Sequence, residues 1–171
     1  STISTPSSSG ASSNATMIEL FMPILFPGDV QEALDLGRHA VALSRSCGVW
    51  SGIKVVTPVA DGTGTVEVHP DRVRGVAPVT EMDGKPFHPV PNGRLVAPHV
   101  LDVEQELQEV RWPLVRQYGV DNKLNRVTVR SSDDWIGIVA AGHAYHELRE
   151  ALAVLGLKTD GDMGAAGVRL F

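Results

Sequence analysis

One run, FMPILFPGDVQEALDLGRHAVALSRSCGVWSGIKVVT over residues 21–57, constrains the fold of this chain more than any other. It begins with a short apolar segment, residues 22–26, bracketed by Pro23 and Pro27, and ends on residues 52–57, rich in the β-branched side chains that suit strands. Between them Asp29 stands at an N-cap position with Glu32 three residues on, the spacing of a capping box. Gly48 follows the last helical turn, where a left-handed residue ends a helix. Val30, Ala33, Leu34, Gly37, Ala40, Val41 and Ser44 recur at helical spacing, which predicts a stripe facing a sheet. Strands joined through a helix are normally parallel with a right-handed crossover, so the run is predicted to be one βαβ unit.

The same grammar returns near the end of the chain. Residues 127–129 read as a short strand or the approach to one, and residues 135–140 as a buried strand. Ala141-Gly142 then breaks into a helix over 143–155, with Leu148, Ala151, Leu152 and Leu155 as its buried stripe, Gly156 as cap and 168–171 as the next strand. KTDGDMGAAG, between helix and strand, is expected to be a polar loop. Residues 69–101 carry Pro70, Pro78, Pro86, Pro89, Pro91 and Pro98, which deny helix interiors and ladder donors, so a long connection is predicted there. After it, Asp102 is read as the cap of a helix with Gln105 in the box position, running through Pro113 toward Tyr118 before Gly119. Val103, Leu107, Val110 and Leu114 form its apolar stripe, and Pro113 is expected to kink it or to start a second helix. The predicted class is therefore α/β, two partial parallel βαβ units joined by a long proline-rich connection.

Charge and cysteine content exclude several functions. A net charge of −5 and a pI near 5.6 argue against nonspecific nucleic-acid binding, which needs a basic face. No apolar run approaches the roughly 20 residues of a membrane span. One cysteine, Cys47, forms no internal disulfide, which suits a reducing cytoplasm, and does not hold an iron–sulfur cluster on its own. At the end of a helix the dipole raises its pKa, so a catalytic thiolate is not expected. Asp61-Gly62 sits in a glycine-rich turn ahead of an alternating strand, 65–68. It lacks the glycine that a diphosphate and metal motif needs, because Ala60 occupies that place. His69, His88 and His99 are irregularly spaced, and His143 and His146 lack the i, i+4 pair of a metalloprotease helix, so no metal ligands are predicted. His143, near a helix start, is read as a hydrogen-bonded histidine.

Residues 27–33, with Pro27, Asp29, Gln31, Glu32 and Ala33, followed by the strand 53–57, resemble the end of the pyrimidine-binding domain of 2-oxoacid:ferredoxin oxidoreductases, most of all the fused, indolepyruvate type. TPSSS at residues 5–9, DGKPFHPVPNGRL at 83–95 and DNKLNRVTV at 121–129 add to the resemblance, which runs in order along nearly the whole chain. The resemblance implies four regions. Residues 1–68 would be the C-terminal part of the pyrimidine-type domain, 69–101 the interdomain connection, 102–124 a connecting helix, and 125–171 the start of a transketolase C-terminal-like domain.

The parent enzyme so implied decarboxylates an arylpyruvate on thiamine diphosphate and Mg2+, passes electrons through iron–sulfur clusters to ferredoxin, and releases an acyl-CoA. Its activating glutamate, diphosphate motif and cluster cysteines would lie outside this stretch, so no catalytic residue is identifiable here and no cofactor is expected to bind the fragment alone. The opening sixteen residues, ten of them Ser or Thr, are either a flexible linker or an internal loop near the active site. In the second case Ser7, Ser8 and Ser9 would hydrogen-bond an anionic group. Gly142, between strand and helix, makes an anion-binding corner suited to a phosphate such as one of coenzyme A, unless it merely permits the turn. Partners would be the other domains or subunits of the enzyme, ferredoxin, coenzyme A and the 2-oxoacid, the intact protein being a homo-oligomer. Two readings stay open beside this one: a noncatalytic α/β binding module, and the same family acting on pyruvate or 2-oxoglutarate. Both half-sheets would leave edges open, so the fragment by itself is expected to self-associate.

Overall fold

The computed structural model describes residues 13–171 apart from Asp83 and the Ser13 side chain. Their order is α1 (Ser13–Glu19), β1 (Ile24–Leu25), α2 (Val30–Cys47), β2 (Gly52–Ile53), α3 (Thr57–Ala60), β3 (Glu81–Met82), β4 (Lys85–Pro86), α4 (His99–Glu106), α5 (Trp112–Asp121), β5 (Ile136–Ile138), α6 (His143–Val154), α7 (Asp160–Ala165) and β6 (Val168–Leu170). β1 pairs with β2 and β5 pairs with β6, both in parallel, so the α/β class with two partial βαβ units holds.

Local signals set the ends of α2. Asp29 has extended backbone and its carboxylate accepts from the Glu32 N–H at 2.7 Å, while Gly48, at φ +70°, donates to Ser44 O at 3.0 Å. The return leg of the predicted box is displaced by one residue: Glu32 accepts from the Gly28 N–H at 2.7 Å. The buried face of α2 also differs from prediction. Ala40, Leu43 and Cys47 are buried, whereas Leu34 is 37% and Val41 53% exposed. The reason is geometric: a helix about 27 Å long has beside it strands of only two residues, so its main partner is α5. Leu43, Cys47 and Val49 close one core with Leu114, Val115 and Tyr118. A second core gathers Val129, Leu152, Met163, Val168 and Leu170.

Other expectations need correction. Thr57 leaves the predicted strand and opens α3, where Pro58 needs no donor in the first turn. Residues 65–68 form no strand, because the backbone of Glu67 pairs with a side chain of α2. The helix assigned to Asp102 starts at His99, so Asp102 lies in its first turn, and Gln105 donates to Glu109 at 2.9 Å. A π-helical turn, Leu107–Arg111, precedes Pro113, which opens α5, and α5 runs through Gly119 to Asp121. The strand predicted over 135–140 shrinks to three residues and is not buried, with Trp135 and Val139 each 76% exposed. In α6, Leu152 is buried and Leu148 partly so, but Ala151 and Leu155 face solvent. KTDGDMGAAG contains α7, started by a complete Thr159–Asp162 capping box and fastened by the enclosed Met163. Residues 13–16, expected within a flexible or looped segment, are helical.

The proline-rich connection carries one hairpin, β3–β4, turned at Gly84 with φ +72°. It is otherwise irregular, with Phe87 packed on the first core. The chain exposes 11523 Å², against about 8,100 Å² for a compact monomer of this mass. Uncovered apolar side chains on α2 and α6 and around β5 contribute to the excess.

Candidate functional site

The residues of the 27–33 motif each have a physical task. Pro27 is fully enclosed, Asp29 caps α2, and Glu32 binds back to the Gly28 N–H. Gln31 uses both ends of its amide on Glu67, accepting from its N–H at 2.7 Å and donating to its carbonyl at 3.4 Å. One turn on, Asp35 receives Arg72 at 3.1 Å through both oxygens, and Arg38 donates to the carbonyls of His69 and Pro70 at 3.2 and 2.8 Å. This face of α2 thus fastens the start of the connection through spacings of three and four residues, as neighbouring turns of a helix allow. The sequence signalled these residues as a motif, but not what they hold.

The corner at the start of α2 meets the corner at the start of α6. A Cβ on Gly28 would lie 2.4 Å from His146 Cδ2 and 2.6 Å from Gly142 O. Gly142, at φ +60°, has no room on its own side either, since a Cβ there would lie 2.7 Å from the Phe26 ring. Glycine is required at both places so that the two backbones approach. Across this seam His143 Nδ1 lies 3.1 Å from Gly28 O and therefore donates to it. His146 Nε2 is shielded from solvent without a hydrogen bond, 3.8 Å from Asp29 Oδ2 and 4.0 Å from Glu32 Oε2. The Tyr145 ring meets His146 edge-on at 5.8 Å, and Lys54 Nζ sits 4.6 Å over the Phe26 ring. The two histidines, three residues apart on α6, both serve this seam. Gly28 was the residue that sequence reasoning missed, and only the dipeptide Pro27-Gly28 before an N-cap hinted at a tight corner.

Among the described residues no group of three His, Cys, Asp or Glu side chains is placed to hold a metal ion. Cys47 is fully enclosed, and burial pushes its thiol pKa up, opposed by a hydrogen bond from Ser46, so it is not a nucleophile. Next to it Tyr118, also enclosed, lies 3.0 Å from His39 Nδ1. Burial raises the Tyr118 pKa and lowers that of His39, where nearby Asp35 opposes the effect. Ser7, Ser8 and Ser9 lie outside the described residues. Gly142 stands at the N-terminus of α6 as predicted, with no side-chain cap.

No helix among the described residues is long and apolar enough to cross a membrane. No family model matches the chain, and no solved structure gives a significant match. Two curated proteins do. The indolepyruvate oxidoreductase subunit IorA of Methanothermobacter thermautotrophicus is 32% identical over 138 residues, covering 80% of this chain and 21% of that protein. The subunit of the same name from Methanothermobacter marburgensis is 29% identical over 137 residues, with the same two shares. The chain therefore spans about a fifth of the length of the relatives it matches. With similarity over four fifths of its residues, and with the α/β units that its motifs predicted, this chain is a relative of the 2-oxoacid:ferredoxin oxidoreductases through one segment of their indolepyruvate-type subunits.

Proposed function

We propose that this chain is a scaffolding segment of an indolepyruvate-type 2-oxoacid:ferredoxin oxidoreductase: one wall of the thiamine diphosphate cleft and the junction to the next domain. The similarity to the two IorA subunits carries the reading. The intact enzyme, on this reading, oxidatively decarboxylates an arylpyruvate to an acyl-CoA and hands two electrons to ferredoxin, in a reducing cytoplasm and as an oligomer. Thiamine diphosphate supplies the carbanion chemistry when bound, and the protein orients it.

On this reading the Mg2+ and cluster sites of that enzyme lie on other parts of the protein. Asp61 follows a four-residue helix with Ala60 before it, and Cys47 is a single enclosed thiol where a cluster takes four ligands. No catalytic step is therefore assigned to them. What this chain contributes is rigidity, because the Gly28–Gly142 seam sets the angle between the two βα units. Ser7, Ser8, Ser9 and the Gly142 corner are proposed as its contacts with anionic groups of cofactor or substrate.

The test is an anaerobic assay of the full-length protein with its companion subunit. Reduction of a viologen dye or ferredoxin that requires indolepyruvate, thiamine diphosphate and coenzyme A is expected, faster than with pyruvate or 2-oxoglutarate. No reduction with any 2-oxoacid, in a preparation that retains bound iron and sulfide, would refute the enzyme reading.

A further inference from the structure

The loop of residues 88–94 belongs to the DGKPFHPVPNGRL motif, for which the proposed enzyme leaves no task. It borders an open hollow of about 350 Å³, lined by His88, Val90, Pro91, Asn92, Arg94 and Glu106. That volume is at the lower end for small-molecule sites. The hollow is far from the Gly28–Gly142 seam. Arg111 ties its rim to the Gly48 carbonyl, at the other end of α2, about 27 Å along the helix.

The hydrogen-bonding inventory of the lining is lopsided. Val90 O already accepts from Arg111 Nη2 at 3.0 Å, and Asn92 Oδ1 accepts from the Arg94 N–H at 3.0 Å, closing the Pro-Asn-Gly turn. Pro91 has no N–H. Glu106 is paired through Oε1 with Arg111 at 2.6 Å, which cancels its charge. Left over beside the free Glu106 Oε2 are the Asn92 amide N–H groups, the His88 ring and the Arg94 guanidinium, whose side chain makes no hydrogen bond or ion pair among the described residues. Among the described residues one positive charge of this lining has no ion-pair partner, on a planar fork that matches the oxygens of a carboxylate or phosphate.

We propose that this hollow binds an oxyanion, the carboxylate or phosphate group of a small molecule, with Arg94 as its principal ligand and Asn92 and His88 as supporting donors. The site stands independently of the oxidoreductase reading. Arg94 is exposed, so replacing it leaves both cores intact.

The experiment uses the full-length protein, with inorganic phosphate and malonate as separate probes, followed by calorimetry and, for phosphate, by 31P line broadening. Saturable binding of at least one probe is expected, weakening as ionic strength rises. Arg94→Ala should weaken it roughly tenfold or more, and Arg94→Lys by less, because an ammonium keeps the charge and loses the fork. Stronger phosphate than malonate binding would identify a phosphorylated ligand, and the reverse order a carboxylate. Absence of saturable binding by either probe, or equal affinity in wild type and Arg94→Ala at unchanged melting temperature, would overturn the proposal.

Discussion

Alanine in place of Gly28 tests whether the two βα corners really touch. The new Cβ would stand 2.6 Å from Gly142 O, which is backbone, and 2.4 Å from His146 Cδ2, which is side chain. Ordinary van der Waals contact needs about 3.4 Å or more, so the corners must separate by nearly 1 Å, stretching the His143–Gly28 hydrogen bond of 3.1 Å. Overpacking of this kind costs about 1–3 kcal/mol. Gly37, in the middle of α2, is the control, because a Cβ there meets nothing within 4 Å. Gly37→Ala should stabilise by about 0.5–1 kcal/mol, the gain of alanine over glycine in a helix interior. The two alanines are thus expected to differ by about 1.5–4 kcal/mol, or about 3–16 °C in melting temperature for a chain of this size. Urea unfolding at several protein concentrations measures the difference. His146→Ala in the Gly28→Ala background removes only the side-chain clash, so it should recover part of the loss. A Gly28→Ala midpoint within error of wild type, or complete rescue by His146→Ala, would refute the backbone contact at the seam.

Four further outcomes follow from the structure. Burial lowers the His39 pKa below its ordinary 6.5, so the folded chain binds fewer protons than the unfolded one once the pH drops past that value. Stability should therefore hold above about pH 6.5 and fall as the pH is lowered through the folded-state pKa; a melting curve unchanged by His39→Gln between about pH 7 and about pH 5 would contradict this. Asp162, held low first by the Thr159 backbone N–H and then by its hydroxyl, acts in a separate window, with stability present above 3.8 and lost as the pH falls below it. In the second core, Met163→Ala should cost about 2–5 kcal/mol and Thr159→Ala about 1 kcal/mol, so equal effects in denaturant would show that α7 is not fastened as described. Parallel strands of two and three residues and exposed Val41, Trp135 and Val139 leave edges and faces open, so the isolated chain should self-associate; a single monomeric species by sedimentation across a wide concentration range would count against it.

Local chemistry made some elements legible before any coordinates. Asp29 and Gly48 bound α2 because caps act through backbone groups within a few residues of themselves, and Gly142 and Gly156 bracket α6 for the same reason. The parallel pairing also followed from sequence, because strands separated by one helix have little choice of direction. Thr159 and Asp162 carried an equally local signal for α7, hidden by the glycines around it.

Tertiary structure alone decided which face of each helix is covered. The predicted stripe of α2 is apolar, yet Leu34 and Val41 face outward, because α5 reaches Leu43 and Cys47 and the strands are too short to cover the rest. The Gly28–Gly142 seam lay beyond sequence reading as well. Its residues are more than a hundred positions apart, and a steric requirement between two backbones leaves no period, only a glycine at each end. Caps and turns are satisfied within one segment, so the sequence determined them; burial and close approach need a second segment, and the fold supplied it.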